Sequence, residues 1–191
     1  MDNLKAQIIS YIPKTEREAA DKALILQAIE TFPDVLTREN VICHFTASNW
    51  IINAKHNKAL MIHHNIENKW MWTGGHADGE NNLLSVALRE AHEETSLEHI
   101  KPLSTEIFSL EVLNAPPHIK NGKFVSAHLH LDCSFLLEAD ERENFKIKPD
   151  ENSAIRWIDF AEILTEVKAG TMSPHYPSLI ERVCNIYTTK K

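Results

Sequence analysis

The chain has 191 residues, of which 43% are apolar and 25% charged, and a formal net charge of −7 at pH 7. These values are typical of a soluble globular domain, and they exclude a disordered tail, a collagen-like fibre and a membrane protein. The acidic balance also argues against a general nucleic-acid binder, which needs a basic surface. We therefore expect no nucleic-acid and no membrane partner.

The cysteines and the first residues predict the compartment. Cys43, Cys133 and Cys184 lie far apart and form no Cys-x-x-Cys pair. Such a set is typical of reduced thiols rather than of a disulfide framework or a zinc site. The initial sequence MDNLKAQIIS has no basic segment followed by an apolar one, as an export signal would have. We expect a cytoplasmic protein.

Two helices are predicted at the N-terminus, over 4–12 and 16–31, the second with a capping box of Thr15 and Glu18. A polar stretch follows, so we predict an N-terminal helical extension over 1–40 and a second domain over 41–191. The predicted strands of that domain are 45–53, 58–64, 107–113, 127–137 and 155–158, and its predicted helices are 82–95, 160–168 and 178–187. Strands and helices mixed without strict alternation predict an α/β or α+β layered fold with a mixed sheet.

Glycine is rare here, five residues in all, and Gly74, Gly75 and Gly79 fall within six positions. Glycine adopts backbone conformations that other residues reach only with strain, so the cluster predicts a sharp change of chain direction. We expect a strand to end at Gly74-Gly75 and a helix to begin near Asn81 or Asn82, either of which is a suitable N-cap.

Three carboxylates, Glu90, Glu93 and Glu94, stand on that helix. At about 100° per residue they share one face within a single turn, and Arg89 can pair with Glu93. No lysine is available nearby on that face to balance the remaining charge. A solvated acidic face is one interpretation, since most runs of charged residues lie in solvent. However, the helix is apolar on nearly all sides, which predicts that its end is partly enclosed. Enclosed carboxylates need a cation or protonation, and all-oxygen ligands suit Mg²⁺ or Mn²⁺, so we favour a divalent-metal site.

The segment resembles the Nudix box, which reads Gly, five residues, Glu, seven residues, then Arg-Glu-U-x-Glu-Glu-x-Gly-U with U aliphatic. Here it runs from Gly75 through Asn81 to REAHEETSL over 89–97. Asn81 stands at a glutamate position, beside Glu80. Ser96 replaces a glycine at a site that often has a left-handed backbone, and we expect it to cost about 1 kcal/mol if that conformation is kept.

Ala91 is the third departure, a small residue at an aliphatic position of the box. Weaker similarity to the Nudix family extends over about 44–165. The first 40 residues do not resemble any part of the family pattern.

The resemblance implies a Nudix-type α/β/α sandwich with a mixed sheet that hydrolyses a small-molecule diphosphate, a nucleoside diphosphate linked to another moiety, with Mg²⁺ or Mn²⁺. It implies that Glu90, Glu93 and Glu94 bind the metal or, for one of them, activate water. Arg89 would orient the glutamates, and Gly75 would supply a backbone carbonyl to the metal. Members of the family often dimerise, so the resemblance allows a homodimer, although the sequence leaves the oligomeric state open.

The sequence does not decide which group is attached to the diphosphate. The substrate classes left open are nucleotide sugars, dinucleotides, ADP-ribose, oxidised triphosphates and non-nucleotide diphosphates. Two other functions are also considered. One is a nucleotide-binding sensor on the same fold without hydrolysis. The other is an isoprenoid-diphosphate isomerase, which would need a catalytic cysteine; Cys43 and Cys133 have no evident activating neighbour.

Alternation places His128, His130 and Asp132 on one face of a strand. That face either lines a substrate cleft, with His130 as a phosphate contact, or is simply polar and solvated. A zinc site is rejected because three ligands at most are local. His76, inside the glycine loop, is a second substrate-binding candidate.

Trp70 and Trp72 also alternate, and either is a candidate for stacking on a nucleobase, although a place in the core is the favoured interpretation. Glu151 precedes the strand that contains Trp157. Some Nudix proteins place a catalytic acid outside the box, so Glu151 is a candidate base; its alternative is a surface turn.

Overall fold

The computed structural model describes residues 1–120 and 122–188. The helices are α1 (Asp2–Ser10), α2 (Glu16–Thr31), α3 (Leu83–Thr95), α4 (Phe160–Lys168) and α5 (Tyr176–Thr188). The strands are β1 (Cys43–Asn53), β2 (Lys58–His64), β3 (Lys69–Met71), β4 (Thr73–His76), β5 (Lys101–Pro102), β6 (Ser109–Ala115), β7 (His118–Lys120), β8 (Lys123–Val125), β9 (His128–Ala139) and β10 (Asn152–Asp159). Within the described residues, β7 and β8 pair as a separate hairpin and the other strands share one sheet.

The chain divides into two compact units. The first comprises residues 1–48, 74–87 and 105–135, and the second comprises the remaining residues. Strands β1 and β9 and helix α3 contribute residues to both units.

In the first unit, α2 is capped at its start and packs on β6. The Thr15 side chain accepts a hydrogen bond from the Glu18 backbone N–H at 3.1 Å, as the predicted capping box requires. The Glu18 carboxylate accepts from the backbone N–H of Lys14 at 2.7 Å, one residue before the cap. Asp21 of α2 accepts from the Val112 backbone N–H of β6 at 3.1 Å. The domain boundary at residue 40 stays a prediction.

Glycine is required at one position of β4 in this unit. A Cβ at Gly74 would lie 2.7 Å from the Ser48 Oγ and 2.8 Å from the Ala47 carbonyl oxygen. Both neighbours belong to β1, which pairs with β4. The close approach of these two backbones therefore excludes any side chain at Gly74.

The second unit is built on β2, which pairs antiparallel with β10 from Asn152↔His64 to Asp159↔Lys58 and also with β3. Its core contains an aromatic group. The Trp50 ring lies 5.2 Å from Tyr176 and 6.4 Å from Phe160, centroid to centroid. Trp72 is 7% exposed and lies 5.6 Å from Tyr176, which confirms the expected core position of this tryptophan.

The predicted bounds of α2, α4 and β2 agree with the structure. Helix α1 ends at Ser10 rather than at residue 12, because Ile12 precedes Pro13 and that proline disfavours helical backbone before it. Strand β10 begins at Asn152, earlier than the predicted residue 155, since its first residues are polar and lack the apolar pattern of a strand. Strand β5 and the β7–β8 hairpin were not predicted, because two or three residues carry no readable periodicity.

Among the described residues, no helix is both long enough and apolar enough to cross a membrane.

Candidate active site

Helix α3, which carries the glutamates, begins immediately after the glycine loop. The Asn82 Oδ1 accepts from the Ser85 backbone N–H at 3.3 Å, so Asn82 rather than Asn81 caps the helix. Glu80 accepts from the Asn82 backbone N–H at 2.7 Å. The left-handed backbone of Asp78 and Gly79, with φ of 48° and 93°, turns the chain into this start.

The three glutamates of α3 differ in their access to solvent. Glu94 is buried at 3% exposure, whereas the side chains of Glu90 and Glu93 are 14% and 47% exposed. The neighbours of Glu94 along the chain at this end of the helix, Ala91, Thr95 and Leu97, are also buried. The end of α3 is therefore partly enclosed, as its apolar pattern predicts.

Arg89 and Lys148 form ion pairs with glutamates of α3. The Arg89 Nη2 lies 2.9 Å from the Glu90 Oε1, and the Arg89 Nε lies 3.8 Å from the Glu93 Oε1, which confirms the predicted Arg89–Glu93 pair. The Lys148 Nζ lies 3.4 Å from the Glu93 Oε2 and 3.0 Å from the Glu151 Oε1. No lysine lies near these glutamates along the chain, but the fold brings Lys148 to Glu93 from 55 residues away.

The charges around Lys148 stabilise its protonated form. Partial burial works against the ammonium, but the hydrogen bonds and charges of Glu151 and Glu93 outweigh it and raise the pKa of Lys148. Lys148 is therefore charged at neutral pH and forms ion pairs with both Glu93 and Glu151.

The loop before β10 and the first residue of β10 donate hydrogen bonds to backbone carbonyls at the C-terminal end of α3. The Lys146 N–H donates to the Thr95 carbonyl at 2.8 Å, and the buried Asn152 Nδ2 donates to the Glu94 carbonyl at 3.1 Å. Both carbonyls belong to the last turn of the helix, whose acceptors have no partner within the helix. These bonds place Lys148 and Glu151 beside Glu93. Glu151 also lies in a turn, with its N–H donated to the Lys148 carbonyl at 2.8 Å.

Ser96 keeps the backbone conformation of the glycine that the Nudix box has at this position. Its φ is 58°, in the left-handed region, and its N–H donates to the His92 carbonyl at 2.8 Å. The departure in sequence therefore leaves the exit of α3 unchanged and adds strain at one residue.

In the first unit, four histidines come together. Ring centroids lie 5.1 Å apart for His44 and His76, 5.2 Å for His44 and His130, and 5.0 Å for His76 and His130. One ring nitrogen from each of these three lies within 4.8 Å of the others. The fourth ring, His128, is 4.8 Å from His44 and 5.0 Å from His130. We call His44, His76, His128 and His130 the histidine cluster.

Two members of the histidine cluster favour their neutral form. Burial, with a contribution from His44 and His128, lowers the pKa of His130 to about 3, and burial also lowers the pKa of His44. A neutral His130 attracts a phosphate less than an imidazolium would. The predicted phosphate contact by His130 stays a prediction, as does substrate binding by His76.

Asp132 is 1% exposed and accepts hydrogen bonds from Thr46 at 2.6 Å and Ser48 at 2.8 Å. His128 is also buried. The interpretation of this strand face as solvated therefore does not hold. The sequence pattern missed His44, which shares no motif with His130; their contact arises only where β1 and β9 bring them together.

Trp70 is half-buried, and the Arg156 guanidinium lies 4.8 Å from its ring centroid. His63 lies edge-on to the same ring at 5.3 Å. Stacking of Trp70 on a nucleobase stays a prediction, and so does the metal contact of the half-buried Gly75 in β4.

The buried cysteines are poor nucleophiles. Burial, together with nearby Asp34, raises the pKa of Cys43, and burial raises that of Cys133. Neither thiol forms a ready thiolate, which argues against the isomerase alternative.

A family model for the NUDIX domain matches residues 44–182. The chain belongs to the Nudix family. Membership places the glutamates of α3 in the Nudix box and makes the enzyme class that of a hydrolase acting on pyrophosphate bonds. A sequence comparison with curated proteins gave no match.

Solved structures of Nudix proteins share the fold of this chain at low identity. An Ap4A hydrolase of C. elegans, crystallised as a binary complex, has a TM-score of 0.56 at 15% identity, covering 76% of this chain and 98% of that one. The Nudix hydrolase RenU of M. smegmatis has a TM-score of 0.51 at 16% identity, covering 78% and 88%.

The NUDIX domain of Shewanella oneidensis NrtR, crystallised with ADP ribose, has a TM-score of 0.50 at 15% identity, covering 74% and 86%. These likenesses confirm the expected Nudix α/β fold with a mixed sheet.

Proposed function

We propose that this Nudix protein is a metal-dependent pyrophosphohydrolase whose substrate is a nucleoside diphosphate linked to another moiety. One observation carries the proposal. Glu90, Glu93 and Glu94 stand within one turn of α3, and Lys148 joins Glu93 to a further carboxylate, Glu151.

The donor set fits Mg²⁺, with Mn²⁺ as an alternative, because both ions prefer oxygen ligands and leave positions for water and substrate phosphates. Glu90, Glu93 and Glu94 would hold the ion. When bound, such an ion neutralises phosphate charge and lowers the pKa of a coordinated water.

Arg89 acts as a positioning residue in this proposal. Its guanidinium lies 2.9 Å from Glu90 and 3.8 Å from Glu93, so it restrains both carboxylates on the helix. The glutamate carboxylates carry like charges within one turn and repel one another. Without Arg89, their side chains would therefore move apart.

Glu151 is the proposed base that accepts a proton from the attacking water. Its carboxylate is 39% exposed and 3.0 Å from the Lys148 Nζ. Since Lys148 also contacts Glu93, the lysine keeps a partner when Glu151 becomes protonated. Protonation of Glu151 therefore costs less free energy than protonation of a carboxylate in an isolated ion pair.

The experiment is a substrate panel of dinucleoside polyphosphates, ADP-ribose, nucleotide sugars, oxidised nucleoside triphosphates and non-nucleotide diphosphates. Each is incubated with Mg²⁺ or Mn²⁺, and phosphate is measured after phosphatase treatment. We expect turnover of at least one nucleoside diphosphate derivative, lost on chelation and lost in Glu93→Gln. The matched control is Glu181→Gln, which removes an exposed glutamate of α5. Tight nucleotide binding without any turnover would instead support the sensor function.

A further inference from the structure

We propose that His44, His76 and His130 form a second metal site, for a transition-metal ion that prefers imidazole nitrogen, with Zn²⁺ as the first candidate. The ligand chemistry separates this site from the carboxylates of α3. Imidazole suits Zn²⁺, Cu²⁺ and Ni²⁺, whereas Mg²⁺ prefers oxygen. The proposal does not depend on the proposed function.

The hydrogen bonding of His44 leaves one nitrogen in the state that binds a metal. The His44 Nδ1 lies 3.0 Å from the Asn40 carbonyl oxygen, and because a carbonyl can only accept, Nδ1 carries the proton. The other nitrogen, Nε2, then has a lone pair. This nitrogen is fully buried, and it has no hydrogen-bond partner within residues 1–120 and 122–188.

A buried acceptor without a donor is costly, and a metal ion at Nε2 would satisfy it. The Asn40 carbonyl also accepts the hydrogen bond that is expected in a metal site. There, a ligating histidine donates the N–H of its other ring nitrogen to a backbone carbonyl. Such a bond fixes both the tautomer and the orientation of the ring.

His128 fixes His130 in the same way. The His128 Nδ1 donates to the Ser126 carbonyl at 2.8 Å, so the His128 Nε2 has the lone pair. The His130 Nε2, 3.1 Å away, is therefore the donor to it. This leaves a lone pair on the His130 Nδ1. His128 thus orients His130, and two of the three proposed ligands are held in the tautomer that a metal requires.

The third ligand, His76, follows Gly75 at the end of β4 and is half-buried. Its ring meets His130 at 82°, edge to face, rather than stacking on it. Because His76 reaches solvent while His44 is buried, an ion can enter from the His76 side. Three histidines leave one position of a tetrahedral ion for water or an anion, the arrangement of open zinc sites.

The test uses full-length metal-free protein and Zn²⁺ in competition with a chromophoric chelator, in the presence of millimolar Mg²⁺. We expect one Zn²⁺ per chain, with affinity reduced by about 100-fold or more in His44→Ala and His130→Ala. His99→Asn is the matched control, since His99 is exposed and outside the cluster. Glu93→Gln must retain the Zn²⁺ affinity, which separates this site from the carboxylates of α3.

Two further measurements guard against a misfolded variant. His76→Asn changes a residue that is only half-buried and leaves the ring of the buried His44 in place, so loss of Zn²⁺ affinity with an unchanged circular dichroism spectrum supports the site. Co²⁺ added to the wild-type protein should give the intense visible bands of a four- or five-coordinate ion. A wild-type protein that binds no Zn²⁺ beyond the level of His44→Ala, or one whose Zn²⁺ is lost in Glu93→Gln alone, overturns the proposal.

Discussion

Glu111 and Asp132 lie directly opposite each other on the antiparallel strands β6 and β9, and both are buried. Asp132 accepts from Thr46 and Ser48, and Glu111 accepts from Ser109 at 3.1 Å. Burial raises the pKa of Glu111 to about 7, with Asp132 adding to the rise, and burial raises the pKa of Asp132 to about 6. Two carboxylates in register inside a protein favour protonation, since ionising both would place like charges side by side.

This pair predicts a fold that loses stability as the pH rises. Because both folded pKa values exceed those of the unfolded chain, the folded state holds more protons between pH 4 and 7. The contribution of this carboxyl pair to the free energy of unfolding is therefore complete below about pH 4. It is lost as the pH rises through 6 and 7. Urea unfolding across this range should show a decrease on the order of 1 to 3 kcal/mol.

Glu111→Gln should flatten that pH dependence, because the amide keeps the size of the side chain and cannot ionise. The exposed Glu106→Gln serves as the charge-matched control and should keep the wild-type slope. Equal slopes in wild type and Glu111→Gln would show that this carboxyl titrates normally in the folded protein.

Glu94→Gln tests the buried glutamate of the Nudix box. We expect loss of Mg²⁺-dependent turnover by about 100-fold or more with the fold intact, because a neutral amide is a weaker ligand for a hard cation. Turnover and thermal unfolding are measured on the same preparation. Wild-type turnover in this variant would remove Glu94 from the proposed metal ligands.

Lys148→Met tests the cation that joins Glu93 and Glu151. Without the ammonium, Glu93 and Glu151 lose the ion-pair partner that holds them side by side, so kcat should fall by about 10-fold or more. The exposed Lys123→Met is the control. A kcat equal to that of wild type would contradict a positioning role for Lys148.

Ser96→Gly should stabilise the protein by up to about 1 kcal/mol, because glycine adopts a left-handed backbone without a steric penalty. The φ of Ser96 is 58°, and Asn68, at 52°, offers a matched comparison. Asn68→Gly should gain less, since asparagine tolerates this conformation better than serine does. A larger gain at Asn68 in urea unfolding would contradict the assignment of strain to Ser96.

Gly74→Ala should destabilise the fold by several kcal/mol or prevent folding, because the new Cβ would meet β1 atoms 2.7 and 2.8 Å away. Gly79→Ala provides a contrast. A Cβ there meets nothing within 4 Å, and its cost comes only from the φ of 93°. The difference between the two variants in soluble yield and melting temperature checks the prediction.

The sequence alone determined what depends on neighbours along the chain. The box from Gly75 to Leu97 was recognised by its resemblance to the Nudix pattern. Helical spacing predicted the shared face of the glutamates and the Arg89–Glu93 pair. Local preferences predicted a cap at Asn81 or Asn82, and the structure places it at Asn82. Helix periodicity over many residues likewise placed α2 and α4.

Tertiary structure decided the contacts between distant segments. Lys148 reaches Glu93 only because the loop before β10 donates hydrogen bonds to the last carbonyls of α3. His44 meets His130, and Glu111 faces Asp132, only through the folding of β1, β6 and β9. No periodicity along a chain encodes such contacts, because they depend on which strands pair and in which register.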